Sequence, residues 1–165
     1  MGEGSAVLRS EILDELSLSE RIVRDGHEVV PRFRIIAPDG EHTMMVQLPD
    51  DLAARNERMQ VVRAFMIWKA ATAFVQSTEL IEPNAIASVA VTRAGAIGAL
   101  RRITCKPMVF GEFEWFGRES VDDEIVALLP PRSLTLTDND LHFIDQAFAC
   151  GEVPGIRWVR PGEQV

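Results

Sequence analysis

Pro38-Asp39-Gly40 stands between two runs in which apolar residues recur at every second position. Val29, Phe33 and Ile35 alternate with Arg32 and Arg34 on one side, and Met44, Val46 and Leu48 follow on the other. A period of two places the apolar residues on one face of an extended chain, and a Pro-Asp-Gly turn reverses that chain within a few residues. His27 to Leu48 is therefore predicted to form a β-hairpin with one face for a core. Pro31 has no ladder donor, which predicts an edge position for the first strand there. A lone hairpin is marginal in water, so further strands or helices must cover it.

The flanking sequence supplies both. Ser5 to Asp25 carries Val7, Leu8, Ile12 and Leu16 at helical spacing, with Gly26 as the stop. Pro49-Asp50-Asp51 opens a helix that the pattern extends to Thr78. Within it Ala64–Val75 has Lys69 as its only charge, too apolar for an ordinary surface helix. Ala85–Val91, Leu100–Thr104 and Met108–Phe116 read as strands, and Val121–Leu129 as a short helix. Thr137 to Asp140 resembles a capping box ahead of Leu141, Ile144 and Phe148, with Gly151 as C-cap. Gly155–Val159 adds a possible terminal strand. The expected fold is α+β: a mostly antiparallel sheet of about four or five strands, with one long central helix and shorter N- and C-terminal helices packed on it. Residues 1–165 form one domain, with loose tails at 1–4 and 160–165.

A chain of 165 residues, 47% of them hydrophobic, buries enough surface to fold without disulfides or metal. The net charge of −8 argues against a whole-surface nucleic-acid binder. Cys105 and Cys150 are too few and too far apart for a disulfide framework. The N-terminus has no signal-peptide pattern, and no apolar run approaches the ~20 residues of a membrane span. A cytoplasmic location without membrane attachment is expected.

Motifs for chemistry are sparse. No metal-ligand spacing, nucleotide loop or nucleophile elbow occurs, and no metal or cofactor is expected. His27, His42 and His142 fall on three different elements, and His42 is expected partly exposed beside the hairpin turn. Cys105 precedes Lys106, a cation that favours a thiolate. Glu112 and Glu114 alternate with Phe113 and Trp115, about 7 Å apart on one strand face. The clearest signal is a charge step. Residues 83–111 hold no acid but contain Arg93, Arg101, Arg102 and Lys106; residues 112–124 hold six acids and one base, Arg118. The bland explanation is pairing between the two segments. The sharper one is an anion site in which Gly95 and Gly98 expose backbone N–H groups among Arg93, Arg101 and Arg102.

From these features the chain is expected to be a non-catalytic interaction or regulatory domain. It would bind a protein partner or associate with its own copy through Phe65, Met66, Ile67, Trp68 and Phe74. The alternative is a small enzyme or ligand-binding domain for an anionic substrate, with His42 or Glu114 as acid or base.

Overall fold

The computed structural model describes residues 3–131, 134–148 and 155–163. The predicted cap at Gly151, and Cys150, lie outside those residues. The chain runs α1 (Glu3–Arg24), β1 (Arg32–Ala37), β2 (Gly40–Val46), α2 (Leu52–Trp68), β3 (Ala73–Leu80), β4 (Ala85–Thr92), β5 (Gly95–Thr104), β6 (Val109–Phe110) and β7 (Glu114–Gly117). A single 3-10 turn at Arg118–Ser120 leads to α3 (Asp123–Val126), α4 (Asp138–Phe148) and β8 (Ile156–Val159). All strand pairings are antiparallel, in the order β6-β5-β4-β3-β1-β2-β8, with β7 also on β5.

The class is α+β, but the sheet has eight strands, not four or five. The main reason lies at Lys69. The predicted helix to Thr78 stops at Trp68, where the Lys69 N–H bonds back to the Ile67 and Phe65 carbonyls. Ala70 takes a left-handed conformation with φ 53, and the Ala71 N–H returns to the Met66 carbonyl at 2.9 Å. Glycine usually marks such a stop; here alanine makes it, so the sequence shows no punctuation. Residues 73–80 then form β3, bonded on both sides by β1 and β4. The N-terminal helix is not a shorter one either: α1 has 22 residues against 17 for α2. Nor is β1 an edge strand. It lies between β2 and β3, and begins at Arg32, so Pro31 sits just outside the ladder.

Other local signals act as their chemistry requires. The Asp51 carboxylate accepts the Ala54 N–H at 2.9 Å and caps α2. Thr137 and Asp140 cap α4 reciprocally, each side chain accepting the other's backbone N–H at 3.1 Å.

Helix α1 lies on one face of the sheet. Its Ile12 and Leu16 pack with Val75, Ile86, Ala90 and Ala99 of β3–β5. On the opposite face Val62, Phe65 and Met66 of α2, with Leu128 and Leu129, bury Phe33, Ile35, Met44 and Phe74. Each fully buried side chain of this kind stabilises by about 1.5–3 kcal/mol. No helix among the described residues is long and apolar enough to cross a membrane.

Candidate functional site

The predicted anion-binding residues lie along one strand rather than around a loop. The β4–β5 turn is Arg93-Ala94; Gly95 and Gly98 belong to β5. A Cβ on Gly98 would come within 2.4 Å of the Phe116 ring and 2.9 Å of the Ser88 carbonyl oxygen. Its missing side chain thus lets Phe116 lie across the strand. Arg93 donates to the Ala71 carbonyl at 3.1 Å. Arg101 donates to the Gly111 carbonyl at 2.8 Å and to Glu20 at 3.3 Å. Arg102, its neighbour on the other face, bonds Glu114 at 2.8 Å. Arg93 stands in the turn, and from Gly95 to Arg101 the strand runs about 20 Å at the usual rise per residue. The structure does not bring the three guanidiniums together. Among the described residues Arg102–Glu114 is the one ion pair between the basic and acidic segments, and Arg118 pairs within its own segment with Asp123.

The five apolar residues of the predicted interface divide between two elements. Phe65, Met66 and Ile67 are buried in α2, and Phe74 is buried in β3; Trp68 alone is exposed. The helix that was to present them around its circumference ends at Trp68, so most of that surface is core.

His42 is buried, contrary to its expected exposure at the turn. It points from β2 into an aromatic cluster of Phe65, Trp68, Phe148 and Trp158. Its Nε2 lies 2.8 Å from the Asp39 carboxylate, and its Nδ1 accepts the Trp158 indole N–H at 3.1 Å. An accepting Nδ1 fixes the Nε2–H tautomer, which donates to Asp39. Hydrogen bonding by His42 holds the Asp39 carboxyl below its ordinary range, helped by the charge of Lys69. The Lys69 ammonium also lies 4.0 Å from the Trp68 ring centre. The arrangement joins the hairpin turn, the end of α2 and β8, with His42 buried and its partner Asp39 half exposed at the turn.

A second polar centre was not legible in the sequence. Glu15 of α1 is buried against the sheet, where it pairs with Arg32, accepts from Arg34 at 3.2 Å and receives the Ser77 hydroxyl at 2.9 Å. Ser77 in turn meets Ser88 at 3.2 Å. In the helical pattern Glu15 reads as one more polar position. It becomes a core residue because α1 crosses the sheet above Arg32.

Where the end of β2 pairs with the start of β8, an open cleft of about 320 Å³ is lined by Val30, Met45, Gln47, Gly155, Ile156 and Arg157. Among the described residues no group of three His, Cys, Asp or Glu side chains could hold a metal ion. His27 and His142 are both exposed and lie away from His42 in sequence.

The outer edge of β5 is different in character. The predicted strand from Met108 to Phe116 is really β6 and β7, split by a bulge. Phe110 pairs with Ile103 and Glu114 with Leu100, so residues 111–113 oppose only Arg101 and Arg102. Glu112 therefore sits in the bulge, out of regular alternation with Glu114. Along this edge Met108, Val109, Phe113 and Trp115 are all exposed, from 37% at Trp115 to 51% at Val109. Arginines lie over the neighbouring rings: Arg9 over Trp115 at 4.8 Å, Arg101 over Phe113 at 4.7 Å and Arg24 over Phe110 at 4.7 Å. Leu13, one turn after Arg9 on α1, is also exposed. Among the described residues β6 and β7 pair with β5 alone, so their outer backbone groups face outward.

The chain matches no protein-family model, no curated protein and no solved structure.

Proposed function

We propose that this protein is a non-catalytic interaction or regulatory domain, and that it binds protein through the β6–β7 edge and the adjoining side of α1. The observation that carries this reading is the concentration of Met108, Val109, Phe113 and Trp115 on one free sheet edge. The short strands and the bulge limit backbone pairing here, so the exposed apolar side chains, which soluble chains seldom cluster, carry the contact. The residue types are also those that dominate protein interfaces: tryptophan, phenylalanine, methionine and arginine. The arginine–ring contacts hold the aromatic side chains in place before a partner arrives, which lowers the entropy cost of docking.

A cytoplasmic setting goes with this reading. Cys105 is an exposed free thiol beside the same edge, and a reducing compartment preserves such a thiol.

Photo-cross-linking in cells tests the reading. A photoreactive phenylalanine analogue at position 109 should give protein adducts, whereas one at Ile81, 90% exposed in the β3–β4 turn, should give none. Absence of adducts from position 109, or equal yields from both positions, would overturn it.

A further inference from the structure

The charges along the β6–β7 edge have a direction. At the β6 end stand Arg24, Arg101, Arg102 and Lys106, against two acids, Glu20 paired with Arg24 and Arg101 and Glu114 paired with Arg102. Beyond the β7 end stand Glu119, Asp122, Asp123 and Glu124, all exposed, against Arg118, paired with Asp123, and Arg9, over the Trp115 ring. Between the two lie the apolar side chains and the bulge with Glu112. The edge is therefore positive at one end, apolar in the middle and negative at the other. Residues 109–117 run antiparallel to β5 and carry the acids of 119–124 to the opposite end of the strand from Arg101, Arg102 and Lys106; Arg93, in the β4–β5 turn, stands apart from that basic group and bonds the Ala71 carbonyl.

Charges that guard an edge against self-association are of one sign, because like charges meet when two copies approach. Here they are of opposite sign at the two ends. A twofold axis through the middle of the edge reverses its direction, so the basic end of one copy meets the acidic end of the other, and this happens twice. The same operation sets the Trp115 region of one chain against that of its copy and covers the apolar middle from both sides. A second chain in the opposite orientation would set positive on positive and negative on negative.

We infer that the occupant of this edge is a second copy of the same chain, docked antiparallel about a twofold axis, with each basic end on the other's acidic end. The inference rests on the interaction reading above and adds the partner and its orientation. The bulge at 111–113 leaves β7 as the straight stretch where backbone pairing between copies is available. The contact between the ends is electrostatic and solvent-exposed, so it weakens with salt.

Light scattering on the purified protein should give a mass twice the 18.4 kDa of the chain, falling toward one chain on dilution and at high salt. Trp115→Arg should weaken association at least tenfold, as the loss of a central aromatic contact does; the far-UV circular dichroism of the variant reports whether it is folded. Val109→Glu, at a more exposed position, serves the same purpose should the first variant not fold. Orientation is read from a charge swap. A variant with Glu119→Lys and Asp122→Lys, and a second with Arg102→Glu and Lys106→Glu, should each be monomeric alone and form a mixed dimer when combined. A dimer indifferent to all these substitutions would overturn the inference, and so would two reversed variants that fail to associate on mixing. A monomer at every concentration would overturn it too. In that case the probe at position 109 separates the two ideas: adducts with a different protein leave the interaction reading standing, and no adducts remove both.

Discussion

Trp158 of β8 donates its indole N–H to Nδ1 of the buried His42 at 3.1 Å, a contact between residues 116 positions apart. The other nitrogen of the same ring holds Asp39, in the turn that opened the sequence argument. One imidazole thus ties the first hairpin to the last strand.

His42→Ala should therefore cost about 2–3 kcal/mol in urea denaturation, since it opens a cavity and leaves a half-buried indole N–H without its acceptor. A loss below about 0.5 kcal/mol, the level of an ordinary surface substitution, would show that the contact carries little weight. Nitrogen-15 spectra of the wild type should show the proton on Nε2.

The Asp39 carboxyl is held below its ordinary range first by the His42 hydrogen bond, against the opposing effect of desolvation, with further help from the Lys69 charge. A folded-state value below the unfolded one stabilises above the ordinary Asp range, and that contribution disappears as pH falls through the folded value. In a carboxyl-carbon titration the Asp39 midpoint should rise toward that of an ordinary Asp in His42→Ala. An unchanged midpoint would remove His42 as the cause.

Glu15→Ala should be the most damaging single change on α1, costing about 3–5 kcal/mol, because it leaves Arg32 charged and buried without its partner. Replacing both Glu15 and Arg32 by apolar residues of similar size should recover most of the loss. Equal midpoints for the single and double variants in chemical denaturation would show that the unpaired charge is not the source.

Gly98→Ala should destabilise by about 1–3 kcal/mol through overpacking, since the new methyl meets both the Phe116 ring and the Ser88 carbonyl oxygen. Adding Phe116→Ala should relieve part of the strain, so the two losses should not add. Strict additivity would mean that the ring is not what the methyl strikes.

Cys105 is exposed and unpaired, so it should react with a thiol reagent under native conditions as fast as it does in denaturant. Loss of that rapid phase in Cys105→Ser, with no change in circular dichroism, assigns it. Slow labelling until unfolding would place the thiol inside the protein.

Local chemistry was legible in the sequence wherever it acts over a few residues. The alternation around Pro38-Asp39-Gly40 became β1 and β2, the Thr137–Asp140 spacing became a reciprocal cap, and Gly26 took the positive φ that ends α1. The antiparallel α+β character followed from these short-range signals. What escaped was decided by contacts between distant segments. Residues 73–80 have both helical and strand character; they are a strand because β1 and β4 bond them on either side, and Ala70 turns the chain without the glycine that would have announced it. His42 stands next to a turn, yet is buried because β8 and α2 close over it. Glu15 is one polar residue among many on α1 until the sheet places Arg32 and Ser77 beneath it. The aromatic and arginine side chains of the outer edge were all visible, but only the pairing of β6 and β7 on β5 aligned them. Short-range order is set by side-chain geometry and backbone propensity, which the sequence carries residue by residue. Burial and pairing belong to the whole chain, because they depend on which surfaces remain free once every other segment has found its place.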